Sequence, residues 1–227
     1  YGRLQLAQPL GHLLGMILAL LVAPGLGGWR SVFYLTGSLG GVVAVLIYFF
    51  VRDVPRGQAE PELESLEIGQ YRFSFAALRE VMRKRTMWFV FLQGFFGVFP
   101  WNVISVWFFT YLAQERGYDE NSILFTMAPL ILVLSASYFI GGALGDIMFQ
   151  RTPRGRILVS SLGVIAGAIF LYLALNTPLE QRMLFFLWMM LTAFFMPFSA
   201  PNVISTVFDI TLPEVRSTAQ AMEYFIE

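Results

Sequence analysis

The chain has 227 residues, 57% of them hydrophobic and only 13% charged, and its fifteen Lys/Arg balance fifteen Asp/Glu. An average soluble domain carries about 25% charge, so a mean hydropathy of +0.66 excludes a water-soluble globule of this length. No cysteine and a single histidine exclude disulfide frameworks, thiolate chemistry and Cys- or multi-His metal sites, no metal or other cofactor is expected, and zero net charge gives no footing for nucleic-acid binding.

The apolar residues come in blocks of the length needed to cross a hydrocarbon layer roughly 30 Å thick. They predict an all-α membrane protein with six full spans, at about 4–24, 31–51, 87–113, 121–149, 155–175 and 182–208. A seventh span begins near Ser217 and is cut off at Glu227. The chain opens on Tyr1 with no basic segment leading into a short apolar run and cleavage site, and reads as truncated at both ends.

Pro24-Gly25-Leu26-Gly27-Gly28 separates the first two spans, a tight turn that makes them an antiparallel hairpin. Residues 52–73 are the long polar stretch, with Glu60, Glu62, Glu64 and Glu67 and little to bury, and read as a flexible linker. Ser74 then offers an N-cap to a helix whose Phe75, Leu78, Val81 and Met82 lie opposite Arg79, Arg83 and Lys84. That pattern is an amphipathic helix on the membrane face, leading into the next span; a basic segment of this kind also suits a lipid or partner contact.

With residues 52–86 on the cytoplasmic side, Arg3, Arg52, Arg56, Arg72, Arg79, Arg83, Lys84, Arg85, Arg151, Arg154, Arg156 and Arg216 share that side, leaving Arg30, Arg116 and Arg182 on the other. Twelve of the fifteen basic residues then face the cytoplasm, which orients the chain and supports the span count, because one missed helix would scramble the segregation.

The fourth span ends in Gly141-Gly142-Ala143-Leu144-Gly145-Asp146, followed by Arg151-Thr152-Pro153-Arg154-Gly155-Arg156. This resembles the signature loop of the major facilitator superfamily, in which a glycine, three residues and an aspartate close one helix before a short basic turn opens the next. Gly28-Trp29-Arg30 with Phe33 resembles that family's turn between helices five and six, and Leu212-Pro213-Glu214-Val215-Arg216 its entry to helix eleven. The loop departs from the family pattern at Ile147 and Phe149. The resemblance implies a partial twelve-helix fold running from helix five to the start of helix eleven. Residues 1–51 would close the N-terminal half, 52–86 form the cytoplasmic linker, and 87–227 make up the C-terminal half short of its last helix. It also implies a gating role for Gly142, Gly145, Asp146, Arg151 and Arg154, with Asp146 lying close to Arg3 or the backbone beside it.

Pro100-Trp101-Asn102-Val103-Ile104-Ser105 recurs one hundred residues on around Pro201-Asn202-Val203-Ile204-Ser205, and Pro197 adds a further break. Proline-interrupted spans at corresponding positions of a repeat point to a binding site. Ser199, Asn202, Thr206 and Asp209 form one stripe on the tenth helix; Gln5, Gln8 and His12 form another on the fifth; Gln93 stands apart on the seventh. Polar groups inside a span face protein or water, so Trp101, Asn102, Ser105, Asn202, Ser199, Thr206, His12, Gln8 and Gln93 are candidates for a solute cavity. An interhelical hydrogen bond is the alternative for each polar one.

The expected function is secondary active transport of a small solute by alternating access, with a proton or ion as coupling partner. His12 is the one group here whose unperturbed pKa suits proton coupling. A membrane-embedded enzyme, or a transporter-like scaffold or receptor, are the other readings; one histidine and no cysteine supply no convincing nucleophile and base. The expected setting is the plasma (inner) membrane, with the lipid bilayer as partner and a monomeric full-length protein.

Overall fold

A computed structural model describes residues 7–52, 79, 81–102, 106–211 and 215–226. Every regular element among them is helical. Arg3, Ser105, the Ser74 cap and nearly all of the linker lie outside the described residues.

The chain divides into two compact units, residues 14–74 and residues 1–13 with 75–227. In the first, the end of α1 (Ala7–Ile17) passes into a π-helical turn at Leu18–Val22 and a 3-10 turn at Pro24–Leu26 before α2 (Trp29–Phe50). Gly27 (φ +81°) and Gly28 (φ +116°) supply the left-handed backbone that reverses the chain, and the Ser31 hydroxyl donates to the Leu26 carbonyl at 2.7 Å. The predicted hairpin turn is therefore present. α2 has 22 residues, about 33 Å of helix, and none of its 18-residue apolar window is buried within the protein, which suits lipid contact.

The second unit contains α3 (Arg85–Asn102), a short helical stretch at Phe108–Glu115, α4 (Glu120–Arg151), α5 (Gly155–Leu175), α6 (Arg182–Phe195), α7 (Ser199–Ile210) and α8 (Arg216–Ile226). α5 packs against α4, α6 and α7, and α8 against α3 and α7. Asp119 precedes α4; the Ser122 hydroxyl donates to it and holds that exposed carboxyl below its ordinary range. At one end of the unit Phe108, Leu112, Ile123, Leu130, Phe185 and Met189 form a continuous apolar core.

Among the described residues, four helical stretches are long and apolar enough to cross a membrane: α2, α4, α5 and Arg182–Ile210, where α6 and α7 run on through a 3-10 turn at Met196–Phe198. These make the chain an integral membrane protein in character. The stretch expected at 4–24 is a shorter apolar helix, Ala7–Val22. That expected at 87–113 is described as two pieces, α3 to Asn102 and a second stretch from Phe108. α8 starts within one residue of the expected seventh span.

Candidate functional site

The richest polar cluster forms where α4 ends, α5 begins and α7 ends. Arg156, in the first turn of α5, is the centre. Its Nη2 and Nε donate to Asp146 Oδ1 at 2.8 and 3.2 Å, and its Nη1 pairs with Asp209 Oδ2. The guanidinium also lies over the Phe149 ring, 4.2 Å from its centroid. The N-terminus of a helix favours negative charge, so two carboxylates beside the start of α5 are well placed, and the arginine between them neutralises their repulsion. The three side chains grade from 16% exposed at Arg156 to 39% at Asp209 and 61% at Asp146, so the cluster is open on one side.

The backbone geometry behind it depends on small residues. A Cβ on Gly145 would overlap the Asn202 side-chain amide, and one on Gly141 would stand 2.6 Å from Phe198 Cα. The helices approach this closely because Gly141 and Gly145 share one face of α4, as small residues do in membrane helix packing. The close approach brings Asn202, 1% exposed, within reach of α4. Its Nδ2 donates to the Gly141 carbonyl of α4 and to the Phe198 carbonyl one turn back, both at 2.8 Å. Asn202 thus makes the interhelical bond that was the alternative reading of its sequence position. Of the rest of that stripe, Thr206 donates to Asn202 O at 2.7 Å and Ser199 to Met196 O of the preceding 3-10 turn at 3.4 Å, while Asp209 pairs with Arg156.

Of the other sequence candidates, Gly142 is half-buried, and Arg151 and Arg154 are exposed, with no carboxylate partner among the described residues. Asp146 is engaged by Arg156; Arg3, its expected neighbour, is outside the described residues. Gln8, His12 and Gln93 are exposed. Trp101 and Asn102 fall in the last turn of α3, through which the helix runs uninterrupted at Pro100. Pro197 sits in the 3-10 turn between α6 and α7, where the helical repeat does change, and Pro201 is fully buried in the first turn of α7. Among the described residues no group of three or more His, Asp or Glu comes together to hold a metal.

Two residues were missed. Arg156 was legible only as one of several loop arginines, although Asp209 on the polar stripe called for a cation at its level. Arg116 had no sequence signal at all. It is 5% exposed, lies 3.6 Å from the Phe185 ring centroid, donates from Nη2 to the carbonyls of Ala174 (3.2 Å) and Thr177 (2.9 Å), and from Nε to the Tyr111 hydroxyl at 3.0 Å.

The sequence model of the Major Facilitator Superfamily matches residues 1–225. The chain is 30% identical over 183 residues to "Probable sulfoacetate transporter SauU" of Cupriavidus necator, covering 73% of this chain and 42% of that protein. It is 24% identical over 235 residues to "Protein spinster homolog 1" of Xenopus tropicalis, covering 97% and 44%. It is 27% identical over 180 residues to "Probable anion transporter 4, chloroplastic" of Oryza sativa subsp. japonica, covering 72% and 30%. The chain thus spans less than half the length of these relatives. No solved structure gives a significant match.

Proposed function

The chain belongs to the Major Facilitator Superfamily, and from that premise we propose that it is the middle portion of a secondary active transporter, moving a small solute by opening a central cavity to each side of the membrane in turn. Its helices then run from the fifth to the start of the eleventh of twelve. α1 with its π-helical extension, and α3 with Phe108–Glu115, count as spans beside the four long ones, and α8 opens the seventh. Residues 1–51 end the N-terminal half, 52–86 link the halves in the cytoplasm, and 87–227 build the C-terminal half short of its last helix.

The observation that carries this reading is the Asp146–Arg156–Asp209 cluster. It joins the ends of three helices by contacts that water can replace, which is what a gate that must open and close requires. Gly142, Gly145, Arg151, Arg154 and Arg3 belong to the same gating loop. The concentration of basic residues on this side makes it cytoplasmic, and the plasma (inner) membrane is the setting. The cavity is bordered by Trp101, Asn102, Ser105 and Gln93 on one side and by Ser199 and Thr206 on the other, with Asn202 holding the wall behind them against α4. Gln8 and His12 contribute from the fifth helix, a proton or ion couples the movement, and the full-length protein acts as a monomer. Two relatives named for sulfoacetate and anion transport make small anions the first solutes to test.

The test is counterflow in proteoliposomes holding the full-length parent, with labelled sulfoacetate, phosphate, sugars and aromatic acids. Protein-dependent exchange of at least one solute is expected. Arg156→Gln removes two exposed ion pairs worth about 0.2–1 kcal/mol each, which shifts the balance of inward- and outward-open states by roughly 2- to 30-fold and changes the exchange rate accordingly. A folded parent that exchanges none of the panel, or an Arg156→Gln variant with unaltered kinetics, would overturn the reading.

A further inference from the structure

Where the linker meets α3 the chain turns a corner. Residues 81–83 are helical, Lys84 is not, and α3 begins at Arg85. The corner is fastened on two sides. The Trp88 indole donates to the Met82 carbonyl at 2.9 Å, and Lys84 Nζ donates to the Ile210 carbonyl at the end of α7 at 2.6 Å. Val81 and Met87 are fully buried beneath it.

Because Lys84 turns inward, the three arginines around it are left outward. Arg79, Arg83 and Arg85 are all exposed, and none has a carboxylate partner among the described residues. Arg85 lies over the Phe89 ring at 5.8 Å, and Trp88 and Phe89 are themselves 53% and 59% exposed. Three exposed guanidinium groups with no carboxylate partner among the described residues therefore lie close in the chain to exposed aromatic surface at the end of an apolar helix. Guanidinium groups match phosphate oxygens in planar, bidentate fashion, and aromatic rings of this kind settle at the headgroup level of a bilayer. Charge and apolar surface together fit one ligand, a phosphate that carries acyl chains.

We propose that the corner formed by Arg79 and residues 81–89 is a binding site for the headgroup of an anionic phospholipid, with Arg79, Arg83 and Arg85 on the phosphate and Trp88 and Phe89 against the chain region. The Lys84 bond to Ile210 connects this site to α7, at the residue next to the Asp209 that pairs with Arg156. Lipid bound at the corner steadies the same helix end that the ion-pair cluster holds.

The experiment is lipid titration of the purified full-length parent by native mass spectrometry, with dioleoyl-phosphatidylglycerol against dioleoyl-phosphatidylcholine. Wild type is expected to prefer the anionic lipid. The triple Arg→Gln variant at 79, 83 and 85 is expected to lose roughly 5-fold in affinity for each arginine, about 100-fold together. The triple Arg→Lys variant keeps the charge and is expected to retain most of the binding, while Arg30→Gln and Arg182→Gln behave as wild type. Equal retention of the two lipids, a triple Gln variant that binds normally, or a Lys variant as impaired as the Gln one overturns the proposal. So does displacement of the lipid by millimolar inorganic phosphate, which would identify a free anion as the ligand. No solute enters the measurement, so its failure leaves the transport reading standing, and failure of counterflow leaves this one.

Discussion

Asn202 and Gly145 form a lock of two residues on neighbouring helices. The asparagine amide fills the space that a Cβ at 145 would need and donates to Gly141 beside it. Gly145→Ala is therefore expected to destabilise the protein by about 1–3 kcal/mol through overpacking, and Asn202→Ala by about 0.5–2 kcal/mol through the lost interhelical bond. The double variant should be milder than the sum by more than about 0.5 kcal/mol, because the smaller residue at 202 makes room for the methyl at 145. Unfolding of the full-length protein in detergent measures the cycle; additive losses would mean the two residues do not meet. The sequence made this pair half visible. Gly145 was recognisable as a place for close helix approach, and Asn202 as a polar group that must face protein or water. Which of the two Asn202 faces depends on the rotation of α7 about its axis, and that rotation is set by packing against Gly141 and Phe198, which no local pattern encodes.

Among the elements, α5 was the easiest to anticipate: residues 155–175 were expected to be a span and Gly155–Leu175 is the helix. Its apolar run and the Pro153-Arg154-Gly155 turn before it leave little freedom. The π-helical turns at Leu18–Val22 and Tyr111–Glu115 were not anticipated, since one extra residue in a helical turn leaves composition and apolarity unchanged. The second of these turns delivers Arg116 to the C-terminal end of α5. There the guanidinium meets two carbonyls at the negative end of a helix dipole and the face of Phe185. Arg116→Ala is expected to cost about 2–4 kcal/mol, given hydrogen bonds from a buried charge. Arg116→Lys should recover less than half of that, because a single ammonium cannot reproduce the planar fork. Hydrogen exchange at residues 171–177, together with denaturant unfolding, reads both effects; full rescue by lysine would show that only the charge matters. By sequence Arg116 was only one of the few basic residues on its side of the membrane, because a sequence shows charge but not the carbonyls that absorb it.

At the scale of the whole molecule, the family was legible from one loop, the helix order and the segregation of basic residues, and the match over residues 1–225 agrees. This chain has no cysteine, so with any cysteines elsewhere in the full-length parent replaced by serine the proposed orientation is open to a direct check. With Pro153→Cys or Glu180→Cys introduced singly into the full-length parent, a membrane-impermeant maleimide should label position 180 in intact cells and position 153 only after permeabilisation. Labelling of both from the same side would remove the span count between them. The solute was beyond reach of the sequence for a physical reason: a cavity enclosed by many helices is specified by residues from all of them, and this chain covers under half of its relatives' length. What the chain does contain is a helix held differently at its two ends. At its start α5 is tied by ion pairs open to water, and at its finish by a guanidinium sealed among carbonyls and rings. The Debye length falls from about 10 Å at 0.1 M salt to about 3 Å at 1 M, but dry contacts are screened far less. Ionic strength thus acts as a one-sided dial on this helix, loosening the end held by ion pairs while the other stays pinned.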